Sequence, residues 1–142
     1  MRKIVRDVIT KKEATSLMSL PKTKTSNFNN NIINKVIKKC ISSKVDLFSP
    51  SYYTIEQTGG EHKWHVDTGS LGHMKWCNYG ISVLLSSPGD GGIFKYKNPP
   101  ESFTQKDHYL SAIVHTSDEK HKREKANDDR TVLLIFLKGS NE

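Results

Sequence analysis

The sequence has little of what staples or anchors a small protein. Two cysteines occur in 142 residues, Cys40 and Cys77. They fall in a helix-like and a loop-like segment with no Cys-x-x-Cys spacing, which points away from a disulfide framework and a zinc site and leaves both thiols reduced. No run of eighteen or more apolar residues exists, so no spanning helix and no membrane partner are expected. The start, Met1-Arg2-Lys3-Ile4-Val5-Arg6-Asp7, has no apolar stretch of the signal-peptide kind, and a cytoplasmic location is the expectation. Internal repeats, low-complexity tracts and linkers are also missing. One domain over 1–142 is expected, with a helical cover over about 1–45 and a β core over about 50–138.

What is present is an ordinary globular composition, 35% hydrophobic and 26% charged, with a net charge of +7. A basic surface draws polyanions whatever its fold. Much of the excess, however, sits in Lys11, Lys12, Lys22, Lys24, Lys35, Lys38 and Lys39, where a solvated helix face accounts for it.

Apolar spacing divides the chain in two. Ile32, Ile33, Val36, Ile37, Cys40 and Ile41 recur at helical intervals behind Ser26, a candidate cap, and a shorter helix is expected from about Ile9 to Leu20, ended by Pro21. From Ser49 onward short β-prone runs alternate with polar turns: Tyr52 to Gln57, His62 to Val66, Tyr79 to Ser86, Ile93 to Tyr96, Leu110 to His115 and Thr131 to Leu137. Ser87-Pro88-Gly89-Asp90-Gly91-Gly92 is expected to close a hairpin-like connection, and Lys97-Asn98-Pro99-Pro100-Glu101 to interrupt any central strand. The run Thr131 to Leu137 is apolar on both faces, the mark of a central strand covered on both sides.

Trp64-His65-Val66-Asp67 carries an imidazole and a carboxylate at i and i+2, which an extended strand turns to the same face. Two imidazoles and one carboxylate on one face of an octahedral iron(II) leave three positions open, enough for a bidentate cosubstrate and dioxygen. An isolated His-x-Asp is more often a surface pair beside a turn. Here an apolar strand, a glycine turn, a further histidine and an Arg-led apolar strand follow in order.

That order resembles the iron(II) and 2-oxoglutarate dependent dioxygenase superfamily, particularly its prolyl 4-hydroxylase-like branch, from about Tyr52 to Leu137. The matching residues are His65-Val66-Asp67, Ile81-Ser82-Val83-Leu84-Leu85, Gly91-Gly92-Ile93-Phe94, His121 and Arg130, with nine positions from His121 to Arg130 as in the family. The resemblance implies a mainly β fold with N-terminal helices, a double-stranded β-helix (jelly roll, cupin-like). It implies Fe(II) held by His65, Asp67 and His121, and 2-oxoglutarate clamped by Arg130, whose planar guanidinium takes both oxygens of a carboxylate. Tyr53 is a candidate to give its hydroxyl to the same carboxylate, Tyr52 pointing the other way. His115 competes with His121 as the distal ligand, but its distance to Arg130 departs from the family spacing, and a core histidine is the preferred reading.

The implied activity is hydroxylation coupled to decarboxylation of 2-oxoglutarate to succinate, with dioxygen as co-substrate and a peptide, protein or small molecule as substrate. Prolyl residues lead by analogy alone. Nucleic acid is less favoured: charge supports it, but Val132 stands where the nucleic-acid demethylating branch has a second arginine. Other classes are a non-catalytic cupin-like metal-binding module, which needs no arginine clamp, and a zinc hydrolase, for which Glu119 is the nearby candidate base. The turn from Asp67 to the next strand, with His73, Met74, Lys75, Trp76 and Cys77, is expected to be a substrate-facing loop, with His73 a surface histidine or a candidate for the active-site mouth. His62 and His108 are expected at the surface, and Trp64 and Trp76 in core or rim packing.

Overall fold

Helix formation in the first third follows from caps and from one apolar stripe. In the computed structural model, which describes residues 1–67 and 74–140, α1 (Lys11–Met18) opens on a reciprocal capping box. The Thr10 hydroxyl accepts from the Glu13 N–H, and the Glu13 carboxylate takes the Thr10 N–H. The longer α2 (Asn31–Cys40) is capped by Asn30, whose Oδ1 accepts from the N–H groups of Ile32 and Ile33, not by Ser26. The reason lies just upstream: Thr25 exchanges both backbone hydrogen bonds with Tyr53 and Phe28 is drawn into the core, so the chain stays extended past Ser26. Lys38 and Lys39 in the last turn of α2 suit its dipole.

The strands are β1 (Arg2–Val5), β2 (Val45–Asp46), β3 (Tyr52–Thr58), β4 (His62–His65), β5 (Tyr79–Leu84), β6 (Phe94–Tyr96), β7 (Glu101–Phe103), β8 (Ala112–Thr116), β9 (His121–Arg123) and β10 (Arg130–Gly139), with a short helix α3 (Gln105–His108) before β8. They form two antiparallel sheets. The larger runs β1-β8-β5-β10-β2, with β3 also paired to β10; the smaller runs β4-β9-β6-β7. This is the jelly roll that the family resemblance implies, and no helix among the described residues is long and apolar enough to cross a membrane.

The glycine turn does not close a hairpin. Both edges of β5 are taken, by β8 and β10, so residues 85–93 carry the chain from the large sheet to the small one, where β6 pairs with β7 and β9. β10 is central, as its apolar run predicts, but its two faces differ. Leu133, Ile135 and Leu137 join the core beneath the helices with Ile33, Val36, Ile37, Leu17 and Ile55. Val132, Leu134 and Phe136 face the other sheet across a cavity of about 540 Å³. Cys40 and Cys77 are free and buried, and burial pushes their thiols up, to about 11 and about 12.

Candidate metal and carboxylate site

The cavity lies where the two sheets face each other, so strand alternation decides which side chains enter it. From β4 and its exit come His65 and Asp67, from β9 His121 and Arg123, and from β10 Arg130. The pairing His65↔His121 sets the two imidazoles side by side, ring centroids 4.3 Å apart. One ligand atom from each of His65, Asp67 and His121 lies within 4.8 Å of the other two. Asp67 Oδ1 is 3.3 Å from His121 Nε2 and 3.9 Å from His65 Nε2.

The donor chemistry suits a cation. His65 Nδ1 bonds the Lys63 carbonyl (2.7 Å) and His121 Nδ1 the Glu119 carbonyl (2.8 Å). Since a carbonyl only accepts, each neutral ring carries its proton on Nδ1 and turns the lone pair of Nε2 toward Asp67. Phe94 stacks almost parallel on His121, 5.4 Å between centroids, fixing the ring plane. Burial lowers His65 to about 4, keeping it in the unprotonated form a metal needs. Burial alone would raise the Asp67 carboxyl, but the hydrogen bond it accepts from His115 counters burial, and the carboxyl is held well below the ordinary carboxylate range.

Arg130 occupies the same cavity, 5% exposed. Its Nη1 donates to the Gly92 carbonyl (3.0 Å), and no carboxylate among the described residues forms an ion pair with it. Burial first, and then the nearby Arg123 charge, lower its pKa to about 10. A buried guanidinium with no ion-pair partner among the described residues is costly, and a ligand carboxylate would relieve it. Gly92 lets Arg130 enter: its backbone has φ +60°, and a Cβ there would sit 1.7 Å from Arg130 Nη1. Arg123, by contrast, is paired with Glu56 at 2.8 Å.

Thus His65, Asp67, His121 and Arg130 stand around one cavity, while Tyr53 does not. Alternation along β3 turns Tyr52, Thr54 and Glu56 to the cavity and buries Tyr53 under the helices, edge-on to Phe28 at 5.4 Å. The phase assigned to the two tyrosines is therefore reversed. Tyr52 stands at the mouth beside Trp76, with Lys24 over its ring at 4.7 Å, so this lysine does more than solvate a helix face.

His108 is likewise not at the surface. It is buried on the cavity wall, bonds the Ser82 carbonyl (2.9 Å), and burial lowers it to about 4. His62 is exposed and stacks on His65, 3.8 Å between centroids. His115 is buried as expected of a core histidine, but its partners are polar: Asp67 Oδ2 and the Tyr96 hydroxyl, each at 2.7 Å. No local motif marks that role, because it depends on the pairing of His115 with Gly80 in β5. Glu119 is engaged by Arg2 and the N-terminal amine and is not placed as a base. Trp64 packs at the rim under Lys97 and Lys122. His73 and the rest of 68–73 lie outside the described residues.

No family model matches the sequence, and no curated protein matches it by sequence. Solved structures do match by shape. A viral collagen prolyl hydroxylase from Paramecium Bursaria Chlorella virus-1, in complex with 2-oxoglutarate, superposes with a TM-score of 0.73 at 13% identity, over 99% of this chain and 96% of that one. A Pseudomonas putida prolyl-4-hydroxylase gives 0.70 at 10% identity, over 99% and 87%. A Phytophthora capsici prolyl 4-hydroxylase gives 0.72 at 14% identity, with 98% of this chain spanning 59% of that one. At such identities the likeness speaks for the fold: this chain has the jelly roll of the 2-oxoglutarate and Fe(II) oxygenases, in the form found in prolyl 4-hydroxylases.

Proposed function

We propose that the chain is an Fe(II)- and 2-oxoglutarate-dependent dioxygenase that hydroxylates a prolyl or other residue in a peptide or protein, coupled to decarboxylation of 2-oxoglutarate to succinate. The observation that carries this reading is the meeting, in one cavity, of a two-histidine, one-carboxylate cluster and an unpaired buried arginine. A cupin-like module would need only the first, and a hydrolase would need a positioned base. The prolyl substrate rests on three of the structural neighbours, which are named as prolyl hydroxylases.

In this reading His65 Nε2, His121 Nε2 and Asp67 Oδ1 hold the iron, which when bound supplies dioxygen activation and the oxidising power for hydroxylating a carbon. Arg130 anchors the distal carboxylate of 2-oxoglutarate and so orients its keto acid end toward the metal ligands. Val132, Leu134, Phe136 and Phe94 give the cavity apolar walls that limit water around the reacting groups. Tyr52, Lys24 and Met74 also line the cavity.

The test is turnover with Fe(II), ascorbate and 2-oxoglutarate, measuring succinate and the oxygen added to proline-containing peptides by mass spectrometry. Succinate formation stimulated by such peptides, with an oxidised peptide product, is expected. Stimulation by oligonucleotides and not by peptides would overturn the substrate class. No consumption of 2-oxoglutarate under any condition would overturn the activity.

A further inference from the structure

Asp67 has two carboxylate oxygens, and only one of them faces the metal-binding imidazoles. Oδ1 is the atom near His121 Nε2 and His65 Nε2, whereas Oδ2 is 2.7 Å from Nε2 of the buried His115. The other nitrogen of that ring, Nδ1, is 2.7 Å from the Tyr96 hydroxyl. An ionised carboxylate only accepts hydrogen bonds, so a neutral His115 places its proton on Nε2, donates it to Oδ2 and takes the Tyr96 hydroxyl proton as a hydrogen bond on Nδ1.

We infer that His115, held in this tautomer by Tyr96, is a positioning residue that restricts Asp67 to a single metal-binding oxygen, Oδ1. The inference rests on the oxygenase reading of the site. Its consequence is chemical: a carboxylate free to chelate through both oxygens would take one of the three positions that a bidentate cosubstrate and dioxygen require.

Three further features support it. The hydrogen bond passes over a residue with no side chain, since a Cβ on Gly80 would lie 2.5 Å from Asp67 Oδ2 and 2.7 Å from His115 Nε2. Pairing of Gly80 with His115 across β5 and β8 makes that approach a product of sheet register. Tyr96 in turn is fixed from outside by β1: the Arg2 guanidinium lies 4.4 Å from its ring centre and pairs with Glu119, whose carbonyl orients His121. A chain of contacts from the N-terminal strand thus reaches two of the three ligands.

The test is calorimetric titration of the full chain with Mn(II), a redox-silent probe, followed by 2-oxoglutarate, with the Fe(II) chelate spectrum recorded anaerobically. His115→Ala is expected to lower Mn(II) affinity by about 10–100-fold, the usual effect of losing an outer partner of a metal ligand, and to weaken 2-oxoglutarate binding at saturating metal while shifting the visible band. His115→Gln, which keeps a donor near Oδ2, is expected to restore most of the affinity. Tyr96→Phe, which keeps the packing, is expected to shift affinity in the same direction by less. A wild type that binds metal and cosubstrate alongside variants that match it in affinity and spectrum overturns this inference alone. A wild type that binds no metal overturns the oxygenase reading and the inference together.

Discussion

The two faces of β10 belong to one run of residues and do opposite work. Leu133, Ile135 and Leu137 are wholly buried against α1 and α2, in a dry aliphatic layer that also takes Ile55, Val83 and Val114. One residue along, Arg130, Val132, Leu134 and Phe136 turn toward the small sheet and line a cavity that holds two carboxylates, five histidines and one further arginine. A period of two separates the face that keeps the sheet folded from the face that offers chemistry. Damage to one should therefore leave the other's signature largely intact.

The largest effect is expected on the cavity face. Asp67→Ala should abolish Fe(II) or Mn(II) binding and turnover, because two imidazoles alone do not complete the site; metal titration checks this, and the circular dichroism of the metal-free variant should stay that of the wild type. Gly92→Ala comes next. Its side chain would collide with Arg130 at a backbone conformation of positive φ, so 2-oxoglutarate affinity should fall by at least about tenfold while metal binding persists, a split that calorimetry with each ligand resolves.

On the core face the expected effect is on stability. Leu133→Ala should cost about 2–5 kcal/mol in denaturant unfolding, as buried leucine truncations do, with metal binding retained in the protein that remains folded. Loss of metal affinity as large as that of Asp67→Ala would break the division between the faces.

Acid sharpens the comparison, since only the cavity face titrates. Burial holds His108 and His65 at about 4, below their ordinary 6.5. The unfolded chain therefore takes up these protons first: the stability contributed by the neutral rings is complete above about pH 6.5 and is lost as pH falls toward 4. For His108, fully enclosed, the loss is about 3 kcal/mol. Thermal melts of metal-free protein across that range should show it, and an unchanged Tm would contradict the neutral, buried state of the ring.

The same division explains what could be read in the sequence. His65 and Asp67 were legible because i and i+2 on a strand share a face, and His121 and Arg130 because their spacing from each other matches a known pattern. The short strands β1, β7 and β9 were not, since three or four residues such as His121-Lys122-Arg123 carry too little periodicity to announce a strand. Tyr52 and Tyr53 illustrate the limit more sharply. Adjacent tyrosines look alike, and the register of β3 against β10, which sets Tyr53 beside Ile135 and packs it on Phe28, decides which of them belongs to the core. His115 and Gly80 lie thirty-five positions apart, and their joint hold on Asp67 comes from strand register alone.

The central claim is that His65, Asp67, His121 and Arg130 form one working site. The most direct measurement is anaerobic titration of the protein with Fe(II) and then 2-oxoglutarate, following the visible charge-transfer band of the chelate. The account predicts that the band appears with the wild type, and that in Arg130→Ala it forms only at far higher 2-oxoglutarate concentration. Bound metal with no band at any 2-oxoglutarate concentration would contradict it.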